Sequence, residues 1–168
     1  MIAEGPAAAG PSLRAKALAW LAQREHSTHE LRAKLLRWAQ ARGRDAHAEE
    51  LEALLAALQA AGHLSDARFV ESRVHARAAR LGNLRIEQEL RRNGVQPDEA
   101  QRQALRASEL ERARAVWARR FDPAGPGAGA QPAQPDRAEQ ARQARFLAGR
   151  GFSADVIRRV IGGADVTD

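Results

Sequence analysis

The chain repeats one helical phrase. An aliphatic residue, a few polar positions, a turn glycine and an apolar residue recur as Leu90-Arg91-Arg92-Asn93-Gly94-Val95 and Leu147-Ala148-Gly149-Arg150-Gly151-Phe152. An earlier segment, Glu30-Leu31-Arg32-Ala33-Lys34-Leu35, has the helical spacing of Glu87-Gln88-Glu89-Leu90. With Leu35, Leu90 and Leu147 as equivalent positions, the steps are 55 and 57 residues. A near-constant step of this size marks stacked copies of one unit rather than one globule around a single core. The predicted fold is all-α: three tandem three-helix repeats stacked into an elongated, curved, right-angled or solenoid-like array. Its long surface suits lying along another polymer.

Start and stop signals place the modules. Residues 1–12 are rich in Ala, Gly and Pro and read as a disordered tail. Module one spans 13–62. Leu13, Ala17, Trp20 and Leu21 follow helical spacing, and Ser27 and Glu30 form a capping box for the helix of Leu31, Leu35 and Trp38. Leu51, Leu54, Leu55 and Leu58 make the strongest apolar stripe, ended by Gly62. Module two spans 63–106. Ser65 and Asp66 cap a helix with Val70, Val74, Ala78 and Leu81 inward; Asn83 caps the helix of Ile86 and Leu90. Gly94 stands where a left-handed cap is wanted, and Pro97 opens a third helix in its first turn. Module three spans 107–163, with Val116, Trp117 and Phe121 ending a seventh helix. A Pro/Gly/Ala loop at 122–135 separates it from a helix capped by Asp136 and a last one capped by Ser153, with Val156, Val160 and Ile161 inward. Residues 164–168 read as a tail.

Much of the apolar content is alanine and aromatics are scarce, so the cores are expected to be thin. Trp20, Trp38 and Trp117 each fall in register with aliphatic residues and read as core anchors rather than base-stacking platforms. There is no cysteine, which excludes disulfides, thiolate zinc sites and a cysteine nucleophile. The first dozen residues lack the basic start and apolar run of a signal peptide, and no apolar stretch approaches the ~20 residues that cross a bilayer. The expectation is a soluble, cytoplasmic, monomeric protein without membrane contact.

Catalytic constellations are not legible. Gly125, Gly127 and Gly129 alternate within prolines and follow no strand, so they are linker rather than phosphate cradle. Gly151-Phe152-Ser153-Ala154-Asp155 lacks the second glycine of a nucleophile elbow, and Ser153 reads as a helix cap. His26 and His29 have no third ligand spaced for a metal, and His63 reads as a packed or capping residue. No enzyme activity, cofactor or metal is expected.

Charge is the remaining signal. The formal net charge is +6, and with lysine only at Lys16 and Lys34 nearly all the positive charge is arginine. Arginine meets phosphates and carboxylates through a planar fork. Arg73, Arg77 and Arg80, at i, i+4 and i+7, form one helical stripe, readable as a docking face or as stems snorkelling over the core edge. Arg85 and Arg92 share a face, and Arg142, Arg145, Arg158 and Arg159 continue the charge.

Several motifs resemble the regulatory protein RecX family, over roughly Leu13 to Gly162. Arg24, Ser27, Glu30, Leu31, Lys34 and Leu35 stand in its first-module pattern. Gly62-His63-Leu64-Ser65-Asp66-Ala67-Arg68-Phe69 resembles its module boundary. Gly82, Arg85, Ile86, Leu90, Gly94 and Val95 match module two; Arg145-Phe146-Leu147 and Arg150-Gly151-Phe152-Ser153 match module three. His63 replaces the family's usual tyrosine, Gly82 alone remains of a Gly-Tyr-Gly, Arg142 stands where lysine is commoner, and the loop at 122–135 is long. The resemblance implies a modulator that lies in the groove of the RecA filament on single-stranded DNA. Such a protein blocks filament growth and suppresses ATP hydrolysis, strand exchange and coprotease activity. The partner is then the RecA filament, with single-stranded DNA as the further candidate. Residues proposed for the contact are Arg24, Arg32, Lys34, Arg68, Arg73, Arg77, Arg80, Arg85, Arg92, Arg142, Arg145, Arg150, Arg158 and Arg159. Charge alone leaves two other readings: a stand-alone basic DNA-binding helical protein, with steep salt dependence, or a helical scaffold for an acidic protein partner.

Overall fold

The computed structural model describes residues 11–44, 47–122 and 136–162. Most of the expected N-terminal tail, nearly all of the 122–135 loop and the tail from 164 onward lie outside the described residues. The described residues form eight helices and no strand: α1 Leu13–Leu21, α2 Thr28–Gln40, α3 Ala48–Ala60, α4 Asp66–Ala78, α5 Asn83–Arg92, α6 Glu99–Phe121, α7 Arg137–Gly149 and α8 Ala154–Ile161. None of them is long and apolar enough to cross a membrane.

The sequence reading expects two helices where α6 runs unbroken for 23 residues. No glycine or proline interrupts Glu99 to Phe121, so nothing stops the helix at residue 106. Its start is a full capping box: Asp98 accepts from the Gln101 amide at 2.7 Å, and Gln101 accepts from the Asp98 amide at 2.9 Å. Pro97 therefore precedes the cap instead of sitting in the first turn.

The chain groups into two compact units. One holds the described residues up to Val70 together with Asn93–Val95; the other holds Glu71–Arg92 and the described residues from Gln96 onward. In the first, Leu31 and Leu35 of α2 and Leu51, Leu55 and Leu58 of α3 close over Ala17 and Leu64, with Trp20, Leu21 and Leu54 packed at the margin. The far segment Asn93–Val95 joins this unit through Ser27. The Ser27 hydroxyl accepts from the Glu30 amide at 3.0 Å, as a cap should, and donates to the Asn93 carbonyl at 2.7 Å. Gly94 takes a φ of +71°, and a Cβ there would stand 2.8 Å from the His29 Cβ, so both conformation and space call for glycine.

In the second unit, α6 carries Ala113 and Val116 against Leu147 of α7 and Phe152, Val156 and Ile157 around α8. Ile157 is buried where the sequence reading places Val160 and Ile161, which are half-buried. The Trp117 indole N–H donates to Gln143 at 2.9 Å, so this tryptophan packs at the core edge with its polar handle satisfied. Helix α4 ends at Ala78, short of the expected Leu81. Val74, Ala78 and Leu81 are half-buried; Phe69 and Val70 are the buried residues of α4.

Candidate interaction surface

The second unit is pinned by one close approach of main chains. The Gly82 amide donates to the Arg150 carbonyl at 2.9 Å and the Leu84 amide to the Gly151 carbonyl at 3.1 Å. A Cβ on Gly82 would lie 2.3 Å from Gly151 main-chain atoms, and one on Gly151 would lie 2.5 Å from the Arg85 Cβ. The two glycines thus let the α4–α5 and α7–α8 turns touch.

Two polar residues of α6, buried Glu109 and half-buried Arg112, hold the same region from beneath. Glu109 is 6% exposed and accepts from the Asn83 amide at 3.0 Å, the Ser153 amide at 3.4 Å and the Ser153 hydroxyl at 3.2 Å. One carboxylate thereby serves the first amides of two helices, where the helix dipole favours negative charge. Ser153 holds the expected N-cap position of α8, but its hydroxyl donates to Glu109 instead of accepting from an α8 amide. Asn83 is likewise the first residue of α5 rather than its cap; its side-chain oxygen accepts from Arg112. Arg112 also donates to the carbonyls of Ala78 at 3.3 Å, Leu81 at 2.7 Å and Leu105 at 3.0 Å, closing the end of α4. Burial lowers its pKa from the ordinary guanidinium value, with Glu109 opposing. Neither Glu109 nor Arg112 is singled out by the sequence, since no local pattern separates them from the other charges of α6.

This scaffold sorts the candidate cations into two groups. Arg24 pairs with Glu30, Arg32 with Glu52, Arg68 with Glu25, and Arg73 and Arg77 both with Glu89. Arg142 pairs with Glu139 and Arg158 with Asp155 within single helix turns. The exposed pairs contribute ~0–1 kcal/mol each, but they engage the guanidinium groups. Lys34 lies 4.4 Å from the Trp20 ring centroid and 2.9 Å from His26 Nε2. Arg80, Arg85, Arg92, Arg145, Arg150 and Arg159 have no acidic partner among the described residues. The expected stripe of Arg73, Arg77 and Arg80 is therefore divided: Glu89 engages its first two members, and Arg80 lies in the turn after α4 ends.

Arg80 instead joins Arg77, Arg85 and Arg150 around a cleft of about 370 Å³ in the second unit. Arg150 lies 4.9 Å from the Phe146 ring centroid and donates to the Arg80 carbonyl at 3.4 Å. Proximity of four guanidinium groups makes this concavity a focus of positive potential. Arg92, Arg145 and Arg159 are exposed and do not line it.

The motif residues of the first unit mostly build structure. His26 is 1% exposed, its Nδ1 3.0 Å from the Arg24 carbonyl and its Nε2 facing the Lys34 ammonium. Only a neutral ring protonated at Nδ1 satisfies both partners, donating to the carbonyl and accepting from Lys34. Burial, followed by the charges of Arg24 and Lys34, holds the His26 pKa below its ordinary value, while the Arg24 carbonyl and Glu30 oppose. Burial and Arg24 likewise lower Lys34. Folding therefore disfavours protonated His26. Its contribution is intact above the unfolded value of ~6.5 and is lost as pH falls below it, at up to about 1.4 kcal/mol per pH unit. A His26→Gln variant should show a flatter decline of melting temperature between neutral and mildly acidic pH; an unchanged decline would place the proton uptake elsewhere. No group of His, Cys, Asp and Glu among the described residues could hold a metal. His63 is exposed, not packed, and its main-chain amide closes the α3 end on the Leu58 carbonyl at 2.9 Å.

These features define an all-helical repeat protein with a divided cationic surface. Residues 65–105 match the second three-helix domain of RecX, and residues 107–161 match the third. The chain is 50% identical to the regulatory protein RecX of Leptothrix cholodnii over 159 residues, 92% of this chain and 90% of that one. It is 46% identical to the regulatory protein RecX of Ralstonia nicotianae over 157 residues, 92% and 89% of the two chains. The crystal structure of RecX from Lactobacillus salivarius shares the fold, with a TM-score of 0.67 at 20% identity over 92% of this chain and 95% of that one. The chain belongs to the RecX family of regulatory proteins.

Proposed function

We propose that this protein is a non-enzymatic, cytoplasmic regulator. As a monomer it binds the RecA filament on single-stranded DNA and inhibits filament growth, ATP hydrolysis, strand exchange and coprotease activity. The observation that carries the reading is family membership across nearly the whole chain. The sorting of arginines supports it in kind. Arg80, Arg85, Arg92, Arg145, Arg150 and Arg159 supply the contact, because no carboxylate of the described residues neutralises them. The paired candidates Arg24, Arg32, Arg68, Arg73, Arg77, Arg142 and Arg158, together with Lys34, mainly brace helices. Several weak contacts on successive protomers of a polymer add as avidity without one strong site. A RecA-dependent ATPase assay on single-stranded DNA tests the reading. Saturating protein should suppress hydrolysis; undiminished turnover would remove the claim.

A further inference from the structure

The cleft of Arg77, Arg80, Arg85 and Arg150 has more positive charge than the fold uses. Arg77 shares Glu89 at 3.0 Å; Arg80 and Arg85 have no acidic partner among the described residues, and Arg150 contacts only a ring face and a carbonyl. Four cations less one carboxylate, itself shared with Arg73, leave at least three uncompensated positive charges around about 370 Å³. The remaining lining is Ala76, Leu81 and Gly149, small or apolar residues with no acceptor side chain. Like charges held in a concavity repel one another, and a bound anion removes that cost. The Gly82–Gly151 main-chain contact fixes the turns that hold Arg80, Arg85 and Arg150 near one another, so the cluster is preorganised rather than gathered by its ligand.

We propose that this cleft is an oxyanion site for two or more adjacent phosphate groups. A single carboxylate occupies one guanidinium fork and leaves the other arginines unpaired. Neighbouring phosphates present several oxygens to several forks and match the excess charge. No aromatic side chain lines the cleft, so a nucleobase finds no stacking surface and recognition runs through phosphate. The volume lies at the small end of the ~300–1,000 Å³ of ligand pockets, which suits a short phosphate run. That run can be a free polyphosphate, the tail of a nucleotide or two links of a nucleic-acid strand. The cleft uses Arg80, Arg85 and Arg150, which the filament contact proposed above also uses; phosphate binding measured without the recombinase tests the cleft separately.

The test uses the full chain without RecA. Binding of inorganic tripolyphosphate, ATP and a single-stranded oligothymidine is measured for the wild type and two double variants. Arg80→Gln with Arg85→Gln removes two of the three cleft cations that have no acidic partner among the described residues. Arg142→Gln with Arg158→Gln removes the same charge from exposed, paired positions. The cleft variant should lose roughly tenfold or more in tripolyphosphate affinity, while the control changes little and both keep wild-type circular dichroism. Equal affinity for ATP and tripolyphosphate identifies the source as a free phosphate chain. Tighter oligothymidine binding, with a salt slope reduced by about 1.4 in the cleft variant, identifies a strand. Equal losses in both double variants, absence of phosphate binding in the wild type, or poly-glutamate binding as tightly as tripolyphosphate would each overturn the proposal.

Discussion

Replacing Gly82 with alanine should destabilise the second unit by about 3 kcal/mol or more, the upper range for forcing atoms into a packed site. The added Cβ would meet the Gly151 carbonyl carbon and oxygen and the Phe152 nitrogen at 2.3 Å. All three are main-chain atoms and cannot rotate aside. Relief requires separating the α4–α5 and α7–α8 turns, which breaks the Gly82–Arg150 and Leu84–Gly151 hydrogen bonds as well. Gly149→Ala is the internal comparison. A Cβ there meets nothing within 4 Å, and the residue ends α7, so the change should be neutral or stabilising by up to ~1 kcal/mol. Urea unfolding monitored by circular dichroism measures both. A Gly82→Ala midpoint close to wild type, with an unchanged slope, would mean that the two turns are not held together as described.

Removing the Glu109 carboxylate should have a comparable effect. Glu109→Ala leaves the Asn83 and Ser153 amides and the Ser153 hydroxyl without their buried acceptor. It also leaves half-buried Arg112, whose pKa burial lowers, without the carboxylate that supports its charge. Breaking a buried charged arrangement by deleting one partner costs roughly 3–5 kcal/mol. Glu109→Gln should recover part of this, because its amide oxygen in the place of Oε1 still accepts from the Asn83 and Ser153 amides. The expected order of stability is wild type, Gln, Ala. Equal stability of Ala and wild type would contradict the account of α6 as the polar support of α4, α5 and α8.

The features written in local sequence were legible before the structure. Leu35, Leu90 and Leu147, aligned by their repeat spacing, are all fully buried. Ser27, Ser65 and Asp136 accept from amides three residues ahead, as their spacing indicates. What escaped the sequence depends on distance along the chain. Arg32 finds Glu52, Arg68 finds Glu25 and Arg77 finds Glu89, and no helical spacing reports such pairs. Spacing alone aligned Arg80 with Arg73 and Arg77; the helix ends two residues before it, so the shared face dissolves. The cleft itself is assembled by two glycines 69 positions apart, 82 and 151, whose mutual approach leaves no periodic trace. The continuous α6 escapes for the opposite reason: three separate helices are assigned to each module, although no residue between Glu99 and Phe121 stops a helix.

The restraint of a recombinase polymer proposed for this RecX-family chain is read directly from filament length. The most direct measurement adds the protein to preformed RecA filaments on single-stranded DNA and follows their length. Progressive shortening is expected, weakened when Arg80 and Arg85 are reversed to glutamate and retained when Arg142 and Arg158 are. Filaments that keep their full length at saturating protein would contradict it.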